Sequence, residues 1–291
     1  MGALTSQQIQ DYQDQGCLLL EGFFSSDEVD ELRAVTDELV ARSAALTDHD
    51  DVFELEDGHS ADNPRVRRIK RAFRYSYPEE HAEAFAFYRR MATDERLVAV
   101  LSELIGPAMR IQGGGKLNLK PPGGGAPVEW HQDWAFYPHT NDDLLAVGIM
   151  LDDVTDENGP LLAVPGSHRG PTYDHHQDGY FIGAIDVESS GLDLSNVVTL
   201  KGPAGSVTIH HVRTVHGSAS NLSTSYRRLL LPQYAANDAW PLKGVGDLDY
   251  FNNQIIAGEP TLEPRIVPTP VRLPMPVRPG SSESIFMKQR E

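Results

Sequence analysis

A chain of 291 residues, 40% hydrophobic and 23% charged, has enough apolar material for a full core and none of the bias of a disordered or fibrous protein. Forty-two acidic against 25 basic residues give a net charge of −17, which repels nucleic acid and anionic membranes and argues against both as partners. One cysteine, Cys17, excludes an internal disulfide framework, and with no leader pattern and no apolar run near the roughly 20 residues of a membrane span, a cytoplasmic protein is expected.

Thr5 to Gly16 reads as a short helix ended by glycine, and Cys17 to Leu20 as a buried strand. Ser25 and Glu28 offer a capping box for a periodic helix running to about Arg42. From Leu46 to Pro64 the chain is acidic and poor in apolar residues, which predicts a mobile excursion. Arg65, Arg67, Arg68, Lys70, Arg71 and Arg74 then crowd one segment. They read either as a solvated strip paired to neighbouring acids or as a lure for an anionic ligand. Helical patterns return between Pro78 and Ile105 and stop at Gly106-Pro107. Beyond this point short β-rich segments are separated by glycine, proline and asparagine, as in a jelly-roll barrel. The clearest are Leu144 to Leu151, Leu161 to Val164, Val197 to Leu200, Ser206 to His210 and Arg227 to Tyr234. Residues 169–196 form a long insertion of the kind that lids a pocket. The proline-rich stretch from Pro264 to Pro279 is extended, an arm on the barrel or on a partner subunit of a homo-oligomer. The expected fold is mainly β with flanking α. A single domain over 1–291 divides into helices and strands (1–109), jelly-roll core (110–240) and extension (241–291).

The chemistry concentrates in His131-Gln132-Asp133. Two residues apart on a strand, an imidazole and a carboxylate leave the same face and can reach one metal ion. A second imidazole from downstream would complete the two-histidine, one-carboxylate triad that binds one face of iron(II) and leaves the other open. His210, His211 and His216 compete for that place, with enough chain between for several antiparallel strands to wind round and return; His210 and His211 read rather as strand histidines satisfied by backbone or water. A second such pair, His176 and Asp178, sits inside the insertion, where too few strands separate it from His216; His175 and His176 read as lid residues, with His176 a candidate to contact substrate. Arg227, on the next predicted strand, could hold a carboxylate with two parallel hydrogen bonds, and Arg228 would point the other way. Ser218 shares the face of His216 and could bond the same carboxylate. Lys116, Asn118 and Lys120 alternate, so one face of their strand is polar: it meets either a bound ligand or solvent. Trp134 and Tyr137 follow the first pair closely and are candidates to line a pocket.

These stretches, taken in order, resemble the phytanoyl-CoA dioxygenase family of iron(II)- and 2-oxoglutarate-dependent oxygenases. The match runs through Leu117-Asn118-Leu119-Lys120-Pro121-Pro122, Trp130-His131-Gln132-Asp133, Glu157-Asn158-Gly159-Pro160-Leu161, Pro165-Gly166-Ser167-His168 and His216-Gly217-Ser218 to Arg227. The resemblance implies a double-stranded β-helix (cupin-like) barrel with N-terminal helices outside. It implies His131, Asp133 and His216 as ligands of Fe(II), and Arg227 on the far carboxylate of 2-oxoglutarate with Ser218, Asn118, Lys116 and Lys70 as further contacts. The implied reaction consumes O2 and hydroxylates a C–H bond of a small molecule with release of succinate and CO2; desaturation or cyclisation is the variant. An aspartate at 133, absent from related halogenases, favours hydroxylation. Many relatives carry a tryptophan about where Gly148 stands, so a glycine there is expected to widen the site. The rival classes are a zinc hydrolase, which has no use for Arg227 at this offset, and a non-catalytic ligand-binding barrel.

Overall fold

The computed structural model describes residues 2–73, 79–123 and 125–279, so Arg74 of the basic strip and Pro78 at the head of the helical stretch lie outside the described residues. Two antiparallel sheets carry the fold. In the larger one Ile255–Ala257, Met109–Ile111, Gln233–Ala236, Leu144–Met150, Arg227–Leu231, Lys116–Lys120, Val66–Lys70 and Phe53–Leu55 succeed one another. Val207–His211 also pairs with Leu144–Met150, and Cys17–Leu20 pairs with Val207–His211. Val198–Leu200, Leu161–Ala163, His216–Ser218 and Val128–His131 make the smaller sheet. This is the expected jelly-roll.

Strand alternation divides the larger sheet into an apolar and a polar face. Leu117, Leu119, Val147, Ile149, Val207, Ile209 and Leu230 enter one core with Val29, Leu32 and Leu39 of the Ser26–Arg42 helix. Phe85 and Tyr88 of helix Ala82–Ala92 and Leu97 and Leu101 of helix Glu95–Ile105 join the same core. The helices therefore cover the outside of the sheet, each fully buried leucine contributing about 1.5–3 kcal/mol. The intervening residues, Asn118, Ala146, His210 and Leu229 among them, point the other way into a cavity. No helix among the described residues is long and apolar enough to cross a membrane.

The acidic stretch is not a free excursion. Phe53–Leu55 is buried and pairs with Val66–Lys70, so the acidic and basic runs are the two arms of one hairpin at the edge of the large sheet. Arg67 binds Glu56 through Nε (3.1 Å) and Nη2 (2.6 Å), and Arg68 binds Glu54. All four side chains are buried. A reading by composition sees only opposite charges; their cross-strand register is what allows burial. Removing one partner of a buried ion pair leaves the other charge stranded, at a cost of about 3–5 kcal/mol. Glu54→Ala should therefore lower the urea midpoint by that equivalent. Asp30→Ala, which breaks the exposed Arg33–Asp30 pair, should stay within about 1 kcal/mol of the parent. Equal midpoints for the two variants would overturn the hairpin's role.

Two further boundaries differ from expectation. The strand starting at Arg227 ends at Leu231 and resumes at Gln233, because Pro232 has no N–H for the ladder; its carbonyl still accepts from Val147 N (2.9 Å). The proline-rich tail lies along its own barrel. Thr140 O accepts from Val267 N (2.8 Å), Pro270 O from the Trp134 indole (3.0 Å), and Pro276 O from Phe181 N (2.8 Å) of the insertion.

Candidate metal centre and its cavity

His131 ends the Val128–His131 strand and Asp133 opens the one-turn 3-10 helix Asp133–Ala135. The pair is therefore not displayed by a single strand, as the spacing predicts, but across a strand end. His216 begins the neighbouring strand and pairs directly with His131. One donor atom from each of His131, Asp133 and His216 lies within 4.8 Å of the others, and all three residues are buried. Nδ1 of His131 bonds the Glu129 carbonyl (2.7 Å) and Nδ1 of His216 the Thr214 carbonyl (2.9 Å). Those acceptors fix the proton on Nδ1 and leave each Nε2 free for a metal. Burial pushes the His131 imidazole down to about 4 and His216 well below the usual histidine range. Burial opposes ionisation of Asp133, but the adjacent His210 and the His216 and His131 rings hold its carboxyl well below the usual range. Two neutral imidazoles and a carboxylate at pH 7 are the forms a divalent cation requires.

Gln132 faces away from this centre. Its side chain donates to the carbonyls of Arg213 (2.8 Å) and Pro171 (3.1 Å) and accepts from Tyr173 N (2.9 Å), while its own N–H donates to His175 Nε2 (2.9 Å). It clamps the turn that presents Asp133 to the root of the insertion.

The cavity, about 50 Å³, lies between the two sheets. His131, His216, Gly217 and Ser218 line it from the smaller sheet; Lys116, Asn118, Ala146, His210, Arg227, Leu229, Leu231 and Gln233 line it from the larger. The polar face of the Lys116–Lys120 strand thus meets the cavity, not solvent. Arg227 is 3% exposed, its Nε has no partner, and no hydrogen bond or ion pair reaches its guanidinium among the described residues. Burial lowers it only to about 10, so it stays cationic at neutral pH. Asn118 Oδ1 and both His210 ring nitrogens are likewise buried without partners. A buried guanidinium and several polar atoms without partners carry a desolvation cost that a bound anion would relieve, so the donor set fits iron(II) with a dicarboxylate beside it. Arg228, by contrast, points outward and is held by Asp152 (2.7 Å) and Asp37 (2.6 Å).

Lys120 and His210 were not assigned to the site by sequence. Lys120 Nζ donates to Ser218 Oγ (2.8 Å) and to the Ala219 carbonyl, and burial, then the Arg227 charge, lowers it to about 5. His210, read as a strand histidine satisfied by backbone or water, instead puts Nε2 at 3.6 Å from Asp133 Oδ2 and its ring centroid at 4.2 Å from that of His216. The signal was present: Val207 and Ile209 point to the helices, so His210 must point inward.

Other predicted contacts are not brought to the cavity. Lys70 Nζ binds the Asp50 carbonyl. Trp134 packs with Leu144, Val212 and Ala235, its indole N–H taken by Pro270. His176 binds Asp174 (2.8 Å) and the Met275 carbonyl (3.2 Å) and borders a separate surface depression. Tyr137 stands one contact behind the metal, its hydroxyl accepting from Gln233 Nε2 (2.6 Å). Nor does Gly148 widen the cavity. A Cβ there would lie 2.5 Å from Thr208 Oγ1 and 3.2 Å from Leu229, so Leu229 already fills the space. Gly148→Trp should cost about 1–3 kcal/mol by overpacking and weaken 2-oxoglutarate binding; an unchanged melting temperature and affinity would contradict this.

The sequence model of the phytanoyl-CoA dioxygenase (PhyH) family matches residues 12–229. A probable alpha-ketoglutarate-dependent hypophosphite dioxygenase of Stutzerimonas stutzeri is 37% identical over 289 residues, covering 98% of this chain and 97% of that protein. An ectoine dioxygenase of Bordetella parapertussis is 31% identical over 238 residues, 76% of this chain and 72% of that one. Among solved structures, EctD from S. alaskensis with 2-oxoglutarate and 5-hydroxyectoine superposes with a TM-score of 0.64 at 25% identity, over 94% of this chain and 90% of the other.

Proposed function

Because the chain belongs to the phytanoyl-CoA dioxygenase (PhyH) family and is a 2-oxoglutarate-dependent non-haem iron dioxygenase, we propose that it hydroxylates a small oxyanion, with hypophosphite the first to test. The zinc-hydrolase and non-catalytic readings fall with that membership. In this reading His131, Asp133 and His216 hold iron(II), and Arg227, Ser218 and Asn118 hold 2-oxoglutarate. Iron(II) and 2-oxoglutarate, when bound there, would supply the oxidising chemistry from O2, with succinate and CO2 as co-products. One oxygen atom enters succinate and the other converts a P–H bond of hypophosphite to P–OH, giving phosphite. The protein's share is to orient both reactants and keep water out.

The observation that carries this choice is the match to the hypophosphite dioxygenase over essentially the whole of both chains. A C–H substrate is the second reading, supported by the ectoine dioxygenase and by an L-proline trans-4-hydroxylase of Streptomyces griseoviridis at 32% identity over 60% of this chain. We place the reaction in the cytoplasm, in keeping with the free thiol of Cys17. The chain works as one domain in this reading, since strands from residues 17–20 and 53–70 join the sheet that carries Arg227. Protein loaded with iron(II) and 2-oxoglutarate, then given O2 with hypophosphite, ectoine or L-proline, tests the substrate. Equal amounts of succinate and phosphite are expected with hypophosphite; hydroxylated ectoine or proline without phosphite would select the second reading.

A further inference from the structure

Among the described residues, Arg67 and Arg68 are buried against glutamates and Arg110 against the carbonyls of Ala236, Asn237 and Ala239. Two further cations line the cavity, Arg227, which is buried, and Lys116, which is half-buried, and no hydrogen bond or ion pair reaches either among the described residues. They stand at opposite ends of it. Arg227 pairs with Lys120 and Leu231 with Lys116, so the two cations are separated by four strand steps, about 13 Å. Lys116 is close enough for its charge to be felt at Asp133 and His131, whereas the charge felt at Arg227 is that of Asp152. Lys116 therefore stands on the Asp133 side of the triad. A five-carbon diacid held by its far carboxylate at Arg227 would be too short to reach Lys116 as well.

We propose that Lys116 holds the primary substrate, and that this substrate is a small monoanionic oxyanion seated between the Lys116 ammonium and the metal. This rests on the oxygenase reading above and extends it. The two cations suit different ligands: a guanidinium fork matches a planar carboxylate, while an ammonium is a compact point charge with three donors that fits a tetrahedral oxyanion from any side. His210, whose ring nitrogens have no hydrogen-bond partner among the described residues, lies on the same wall and can supply a further hydrogen bond.

The test uses anaerobic protein loaded with iron(II) and 2-oxoglutarate, whose metal-to-ligand charge-transfer band reports co-substrate binding. Its change on adding hypophosphite, phosphite or formate, or ectoine as a non-anionic control, reports the second site. Lys116→Met should keep 2-oxoglutarate affinity within about twofold while weakening hypophosphite binding roughly tenfold or more, the size of a lost charged contact. Lys116→Arg keeps the charge and should retain binding within severalfold, which separates loss of charge from misfolding. Three results overturn the proposal: Lys116→Met binding hypophosphite like the parent, Lys116→Met losing 2-oxoglutarate as Arg227→Ala does, or parent protein that shows the band and responds to none of the three anions. Lys116-dependent binding of formate or phosphite without hypophosphite would uphold the anion site and remove hypophosphite as the substrate.

Discussion

His131→Ala, Asp133→Ala and His216→Ala should each abolish iron binding and turnover, while His176→Ala keeps both. The three donors converge within 4.8 Å from a strand end, a helical turn and the adjacent strand. The site offers three protein donors, and loss of one leaves only a pair to hold the metal against competing water. The second His-x-Asp pair has the same local spacing but a different fate. His176 is taken by Asp174 and the tail, and Asp178 sits at a positive φ of 51° in the tight turn between two short strands. Iron content after anaerobic reconstitution, followed by oxygen uptake, decides between the pairs. Loss of iron from His176→Ala alone would reverse the assignment.

The convergence of His131, Asp133 and His216 and the jelly-roll were legible because each is written in local patterns: a two-residue spacing, a His-Gly-Ser, a run of alternating strands. Less legible was which way a polar strand face points. Lys116, Asn118 and Lys120 alternate whether they meet solvent or a ligand, and only the helices packed over Leu117 and Leu119 decide it. The same packing directs His210 inward, where a strand histidine was expected to be satisfied. The acidic stretch failed for the opposite reason. Composition marks Glu54 and Glu56 as solvated, and only pairing across the hairpin with Arg67 and Arg68 makes their burial tolerable. Trp134 follows the ligand pair immediately in sequence, yet the turn at Asp133 rotates it into the core beneath the tail. Proximity along the chain is a poor guide wherever a turn intervenes.

Arg227→Ala should raise the 2-oxoglutarate requirement at least tenfold, since a factor of ten corresponds to about 1.4 kcal/mol and loss of a buried charge partner costs about 2–5 kcal/mol. The guanidinium is buried and cationic, and no hydrogen bond or ion pair reaches it among the described residues, so an anion binding there would offset its desolvation. Its neighbour offers the control. Arg228 follows on the same strand but faces outward, held by Asp152 and Asp37, so Arg228→Ala should lower stability and leave 2-oxoglutarate affinity within about twofold. Lys120 does not replace the missing charge, because burial favours its neutral amine at pH 7 and its nitrogen is already bonded to Ser218 and Ala219. Titrating 2-oxoglutarate into anaerobic iron-loaded protein and following the charge-transfer band measures each affinity directly. Equal affinity in parent and Arg227→Ala would mean that the co-substrate is anchored elsewhere, and the division of the cavity between an Arg227 end and a Lys116 end would fall with it.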